Sequence, residues 1–235
     1  MMIYLNMIPN VETKHLCEFC GKSFVRETSI AKHLCETKRR WQDRDQHGSR
    51  IGYTSWIQFY NKHTNKKQKD YNEFIKSAYY TAFIKFGNYC VDAQVINVPR
   101  YVDWLLKNQI SIDTWNKDSN YTKFIIDWCK TEDPFDGITR TIETFIELAN
   151  EDKIVVKDVL RYGNKNKICF MITKGKISPW VLYHSESGKE FISNLDITQE
   201  KMIFDYINPE QWAIKFTKSK HLIPEIKELL RAGGY

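Results

Sequence analysis

Residues 17–40, CEFCGKSFVRETSIAKHLCETKRR, decide how the N-terminal part of this chain is read. Two residues separate Cys17 from Cys20, and twelve more lead to His33. Two thiols and an imidazole at this spacing form a ligand set for tetrahedral Zn²⁺, the thiols sharing one turn and the imidazole arriving from a following helix. Phe24 falls four residues after Cys20 and Ile30 three before His33, where such a module keeps its small apolar core. Gly21 suits the tight turn after the second cysteine, because glycine takes up a positive φ without steric cost.

The first three ligands and this core are similar to those of a two-cysteine, two-histidine finger. The fourth ligand departs from it. The positions four to six residues beyond His33 are Thr37, Lys38 and Arg39, none of which binds zinc well. Cys35 is the best local candidate, with His15, His47, Cys90 and Cys129 as alternatives. Residues two apart on an α-helix point roughly 200° apart, so His33 and Cys35 cannot both face one ion from a continuous helix. The helix is therefore expected to loosen or end at His33. The bland alternative to a metal site is a small hairpin with buried free thiols.

With 235 residues, 42% of them hydrophobic and 14% aromatic, the chain can bury a substantial core in one large or two modest domains. Its six cysteines are too few for a disulfide scaffold. Three of them cluster beside a histidine, which favours a metal site in a reducing compartment. Cys90, Cys129 and Cys169 stand singly in apolar surroundings and are expected to be buried and reduced. The opening MMIYLNMIP lacks a basic start and a small-residue cleavage site, so it does not read as a secretory signal. No apolar run approaches the roughly 20 residues that a membrane span requires. These features predict a soluble, cytoplasmic protein without a membrane partner.

The net charge of +6 is unevenly placed. Residues 1–70 hold 13 Lys or Arg against 7 Asp or Glu, whereas residues 71–235 hold 22 of each. The whole excess accompanies the Cys/His segment, and a positive field of this kind attracts an anionic partner, most naturally a DNA or RNA backbone. If the helix begins near Glu27, the positions that read bases in a major groove fall on Arg26, Ser29 and Lys32. Lys38, Arg39 and Arg40 would then add phosphate contacts that position without specifying. Trp41, Tyr53 and Trp56 are candidates for stacking on unpaired bases.

The fold expected is α+β and mainly helical. Residues 1–14 read as an N-terminal extension, 15–40 as the zinc finger, and 41–52 (WQDRDQHGSRIG, with Gly48 and Gly52) as a basic linker. Residues 53–150 show helical periodicity with many aromatics, including Tyr53, Trp56, Phe59 and Tyr60 at spacings of three and four. Pro99 marks a first helical turn, and Asp118 or Ser119 caps the next helix. Residues 151–235 read as a small antiparallel sheet followed by helices. Its strands would be 153–159, 168–173 and 177–184, with turns at Gly163-Asn164, Gly175-Lys176 and Ser187-Gly188. Asp196 or Thr198, Pro209 and Pro224 then open the closing helices.

No Gly-rich phosphate loop, nucleophile elbow or H-E-x-x-H helix is present. The acids Asp103, Asp113, Asp118, Asp127 and Glu143 suit solvent exposure or capping, although a metal-dependent nuclease assembles such residues from distant segments.

In CEFCGKSFVRETSIAKHLCETKRRWQDRD with the following GYTSWIQFY, and more loosely in YYTAFIKFGNYC and SPWVLYHS, the chain resembles uncharacterised zinc-finger proteins encoded by large tailed bacteriophages. That resemblance implies a phage protein acting in the cytoplasm of an infected bacterium. Two functional classes follow from the residues. One is a zinc-stabilised nucleic-acid-binding accessory protein whose helical body contacts a protein partner. The other is a protein-interaction adaptor with a purely structural finger, and a nuclease is the third reading.

Overall fold

A computed structural model describes residues 14–63 and 70–235. The expected N-terminal extension therefore lies outside the described residues except for Lys14, as do Lys66, Lys67 and Lys69, three of the 13 basic residues in 1–70. The architecture is mainly helical with one two-stranded antiparallel sheet among the described residues, in agreement with the expected class. The chain divides into two compact units, the first ending at Asn88 and the second running from Tyr89 to Tyr235. Charge follows this division: residues 1–88 carry 15 basic and 8 acidic side chains, a surplus of +7, and residues 89–235 carry 20 and 21, a balance of −1.

In the first unit, β1 (His15–Leu16) and β2 (Ser23–Phe24) pair with His15 opposite Phe24 and Leu16 opposite Ser23. Then follow α1 (Glu27–Lys32), α2 (Glu36–Gln42), α3 (His47–His63), α4 (Tyr71–Lys76) and α5 (Tyr80–Asp92), the unit boundary falling inside α5. Trp56, Phe74, Ile75, Phe83 and Phe86 are buried. Phe74 gathers Trp56 at 5.2 Å, Tyr53 at 5.7 Å and Tyr80 at 4.9 Å, a cluster of tilted rings of the kind aromatic cores favour.

The expected linker at 41–52 is instead helical, from the end of α2 through a 3₁₀ turn (Asp43–Asp45) into α3. Gly48 and Gly52, which suggest a loop in the sequence, serve a different purpose. One turn apart on α3, they let α5 approach backbone to backbone: a methyl group at Gly52 would lie 2.6 Å from the Phe83 carbonyl oxygen, and one at Gly87 would collide with the Gly48 carbonyl.

The second unit is helical throughout. Its elements are α6 (Val98–Lys107), α7 (Asp118–Thr131), α8 (Pro134–Asp152), α9 (Val159–Tyr162), α10 (Lys165–Thr173), α11 (Pro179–His184), α12 (Glu186–Ser193), α13 (Ile197–Ile207), α14 (Pro209–Lys218) and α15 (Ile223–Ala232). The predicted starts at Pro99, Pro209 and Pro224 hold, each proline lying in a first turn where its missing N–H costs nothing. Asp196 forms a full capping box with Gln199.

The predicted strands at 153–184 are a correction, because this segment forms a 3₁₀ turn at Val156–Asp158 and then helices α9, α10 and α11. Short apolar runs fit a buried helix as well as a strand, and here the helical spacing wins, since Ile168, Cys169 and Ile172 are buried while Phe170 is exposed. Asn164, read as a hairpin turn, caps α10 by accepting from Lys167 N at 3.2 Å. Ser178 caps α11 with Pro179 in first position.

A buried polar cluster ties α8 to the α10–α11 turn. Arg140 pairs with Glu132 at 2.7 Å and donates to the Gly175 carbonyl at 2.8 Å, while Ser178 Oγ donates to Glu132 at 3.1 Å. Thr141 Oγ1 accepts from Ser178 N at 2.8 Å. The Glu132 side chain is 0% exposed, and burial pushes its carboxyl above the ordinary range against the pull of Arg140 and Ser178. Cys90, Cys129 and Cys169 are free and buried, as expected, and burial raises all three thiols, Cys129 to about 12 and Cys169 to about 11.

Candidate metal centre

The finger segment folds around its polar ligands. Cys17 N–H donates to Lys22 O at 2.9 Å and Gly21 N–H to Cys17 O at 2.8 Å, closing the turn that brings Cys17 and Cys20 together. Gly21 sits at φ +71°, the left-handed conformation its position predicts. After β2 the helix α1 starts at Glu27, as expected, and lasts only six residues. His33 is its C-terminal cap, with extended backbone (φ −71°, ψ 119°), so the helix ends where the His33–Cys35 spacing requires. Cys35, also extended, is the N-terminal cap of α2 and accepts from Lys38 N at 3.4 Å.

Breaking the helix at this point turns Cys35 back toward the knuckle. The ligand atoms of Cys17, Cys20, His33 and Cys35 all lie within 4.8 Å of one another. Cys17 and Cys35 sulfurs are 4.0 Å apart, and Cys20 Sγ lies 3.2 Å from His33 Nε2. Sulfur at roughly 2.3 Å and nitrogen at roughly 2.0 Å from a tetrahedral ion imply edges of about 3.5–3.8 Å, so the group can hold a metal ion with small adjustments. His15, His47, Cys90 and Cys129, the alternative fourth ligands, are not in this group. Among the described residues no second set of three or more His, Cys, Asp or Glu converges in this way. Asp118 instead accepts from Tyr89 Oη at 3.0 Å, and Asp127 from Trp104 Nε1 at 2.9 Å.

The thiols of the group act on one another's ionisation. Burial opposes ionisation of Cys17, but the backbone N–H groups of Cys20 and Phe19 and the neighbouring thiols outweigh it and lower its pKa. For Cys20 the backbone of Lys22 favours the thiolate, yet desolvation and the closeness of Cys17 and Cys35 raise it overall. Ionisation of Cys20 is thus opposed by the neighbouring Cys17 and Cys35 thiols. A central divalent ion reverses that resistance, since coordinated thiols lose their protons outright.

The apolar support is thin. Phe24 stacks obliquely on His33 at 4.7 Å, and both Phe24 and Ile30 are half-buried. Neither α1 nor α2 contains a fully buried residue. Side chains of α2 anchor the finger to the rest of its unit. Arg40 donates to Ile75 O at 2.7 Å, pairs with Glu36 and lies 4.4 Å over the Tyr80 ring. Trp41 meets Phe19 at 6.2 Å and the edge of Tyr71 at 5.8 Å.

The six residues expected to touch nucleic acid divide into two groups. Arg26, Ser29, Lys32 and Arg39 are exposed. Lys38 is half-buried and its Nζ donates to His33 O at 3.3 Å, and Arg40 is committed to Ile75 and Tyr80, so these two brace the finger. Of the candidate stacking rings, Trp56 is only 1% exposed and Tyr53 packs among Trp56, Tyr71 and Phe74, which leaves Trp41. Sequence reading did not find that Asn72, Ile75 and Lys76 of α4 stand beside Trp41 and the knuckle. No local pattern announces that approach, because it joins segments more than 30 positions apart.

No helix among the described residues is long and apolar enough to cross a membrane. Compared with protein-family models, curated proteins and solved structures, the chain finds no match.

Proposed function

We propose that the protein is a zinc-binding, nucleic-acid-binding accessory protein that acts through its finger and the adjoining basic surface, in the infected-cell cytoplasm that the phage resemblance implies. The convergence of Cys17, Cys20, His33 and Cys35 carries this reading. Three thiolates and an imidazole suit Zn²⁺ rather than Mg²⁺ or Ca²⁺, which prefer oxygen. Four protein ligands leave no open coordination position, so the ion would fold the finger without doing chemistry. The +7 surplus of residues 1–88 and the exposed Arg26, Ser29, Lys32 and Arg39 support an anionic partner. With only six residues, α1 spans about 9 Å, so phosphate contacts would dominate over base reading.

Exposed Leu16, Val25 and Leu34 on the finger favour the second reading, a protein-interaction adaptor. Metal analysis followed by salt-titrated binding to single- and double-stranded probes separates the two. The triple variant Arg26→Ala, Lys32→Ala, Arg39→Ala should reduce the slope of log affinity against log salt, by about 0.7–0.9 for each phosphate that is no longer neutralised. An unchanged slope removes these residues from the interface. No affinity for any nucleic acid at low salt would leave the adaptor.

A further inference from the structure

A pocket of about 280 Å³ opens in the first unit where the metal-binding knuckle meets α2 and α4. Phe19, Trp41 and Ile75 give it apolar and aromatic walls, and Glu18, Asn72 and Lys76 give it a polar rim. It is smaller than the roughly 300–1,000 Å³ that receives a drug-sized ligand or cofactor, and suits a single flat ring. The three rim residues are exposed. Together they offer a carboxylate acceptor, an ammonium donor and an amide that does both. The exocyclic amines, ring N–H groups and carbonyls of a nucleobase ask for that mixture. The Arg44 guanidinium lies 5.0 Å over the Trp41 ring and places a cation beside the stacking surface, where a strand's phosphates would pass.

We propose that this pocket binds one unpaired nucleobase of a single-stranded nucleic acid, stacked on Trp41 beside Phe19 and held at its edge by Glu18, Asn72 and Lys76. The inference rests on the nucleic-acid reading above and adds a preference for unpaired strands. A base inside a duplex is already stacked on both faces and cannot enter. Glu18 and Phe19 lie between ligands Cys17 and Cys20, so the metal centre shapes one wall of the base site.

The test uses the full, zinc-loaded chain with three probes: a single-stranded oligonucleotide, an abasic chain of equal length and charge, and the corresponding duplex. The base-bearing strand should bind about tenfold more tightly than the abasic chain, and Trp41→Leu should erase that difference while leaving the salt slope unchanged. Asn72→Ala alters only the exposed rim and should weaken the base-bearing strand about threefold without affecting the abasic chain. Equal binding of base-bearing and abasic chains overturns the pocket and leaves the electrostatic reading standing. Failure of every probe at low salt overturns both.

Discussion

The finger at residues 15–35 and the segment at 159–184 are both made of elements too short to persist alone, yet they are held in opposite ways. In the finger, α1 buries no residue fully, and four polar ligand atoms meet within 4.8 Å. In the second segment, α9, α10 and α11 have four, nine and six residues and bury Leu160, Ile168, Cys169, Ile172, Trp180, Val181 and Leu182. Isolated helices shorter than about 12–15 residues are marginal in water, so each region needs an external source of order. A central ion can replace a hydrophobic core over some 20 residues, at the cost of making that region conditional on the ion.

The most drastic way to break the comparison is to remove a ligand. Cys20→Ser should release the metal and unfold residues 15–35, because a structural zinc site contributes on the order of 10 kcal/mol to folding its own module. Metal stoichiometry and amide exchange report this: the finger amides should lose protection while those of 159–184 keep it. A variant that retains a full equivalent of metal overturns the ligand assignment. Trp180→Ala tests the other side. Its ring is fully buried, so truncation should cost about 3–5 kcal/mol in denaturant unfolding of the second unit and leave metal content untouched.

The smallest expected effect sharpens the contrast through pH. Burial raises Glu132 in the folded state, so the native protein holds that proton more tightly than the unfolded chain does. Its contribution is complete below the unfolded value of about 4.3 and declines as pH rises through the raised one. Relative to Glu132→Gln, the wild type should therefore lose stability with increasing pH in the weakly acidic range, as read from melting midpoints. Parallel pH profiles for the two proteins would refute the shift.

What could be read from the sequence followed the range of the interaction. Ligand spacing is local, and with Cys35 as fourth ligand the rotation of about 100° per residue sufficed to expect the helix to loosen or end at His33. The helix starts at Pro99, Pro209 and Pro224 are likewise set by one residue's backbone chemistry. Residues 168–173 mislead because a run of five apolar positions does not distinguish a buried strand from a buried helix. Of the caps that decide between them, Asn164 looks like a turn and Ser178 falls inside the strand expected at 177–184. Glu132, Arg140 and Ser178 form one cluster from positions 8 and 46 residues apart, and the Trp41 pocket joins α2 to α4. Only packing reveals such partners.

The crossing of α3 and α5 at Gly52 and Gly87 is a joint without rotamers. Where side chains mediate a helix contact, a change of χ angle absorbs a small displacement. Here carbonyl oxygens face bare Cα atoms, so there is no torsion to turn. A displacement of either helix at these two points is therefore passed directly to the backbone of the other.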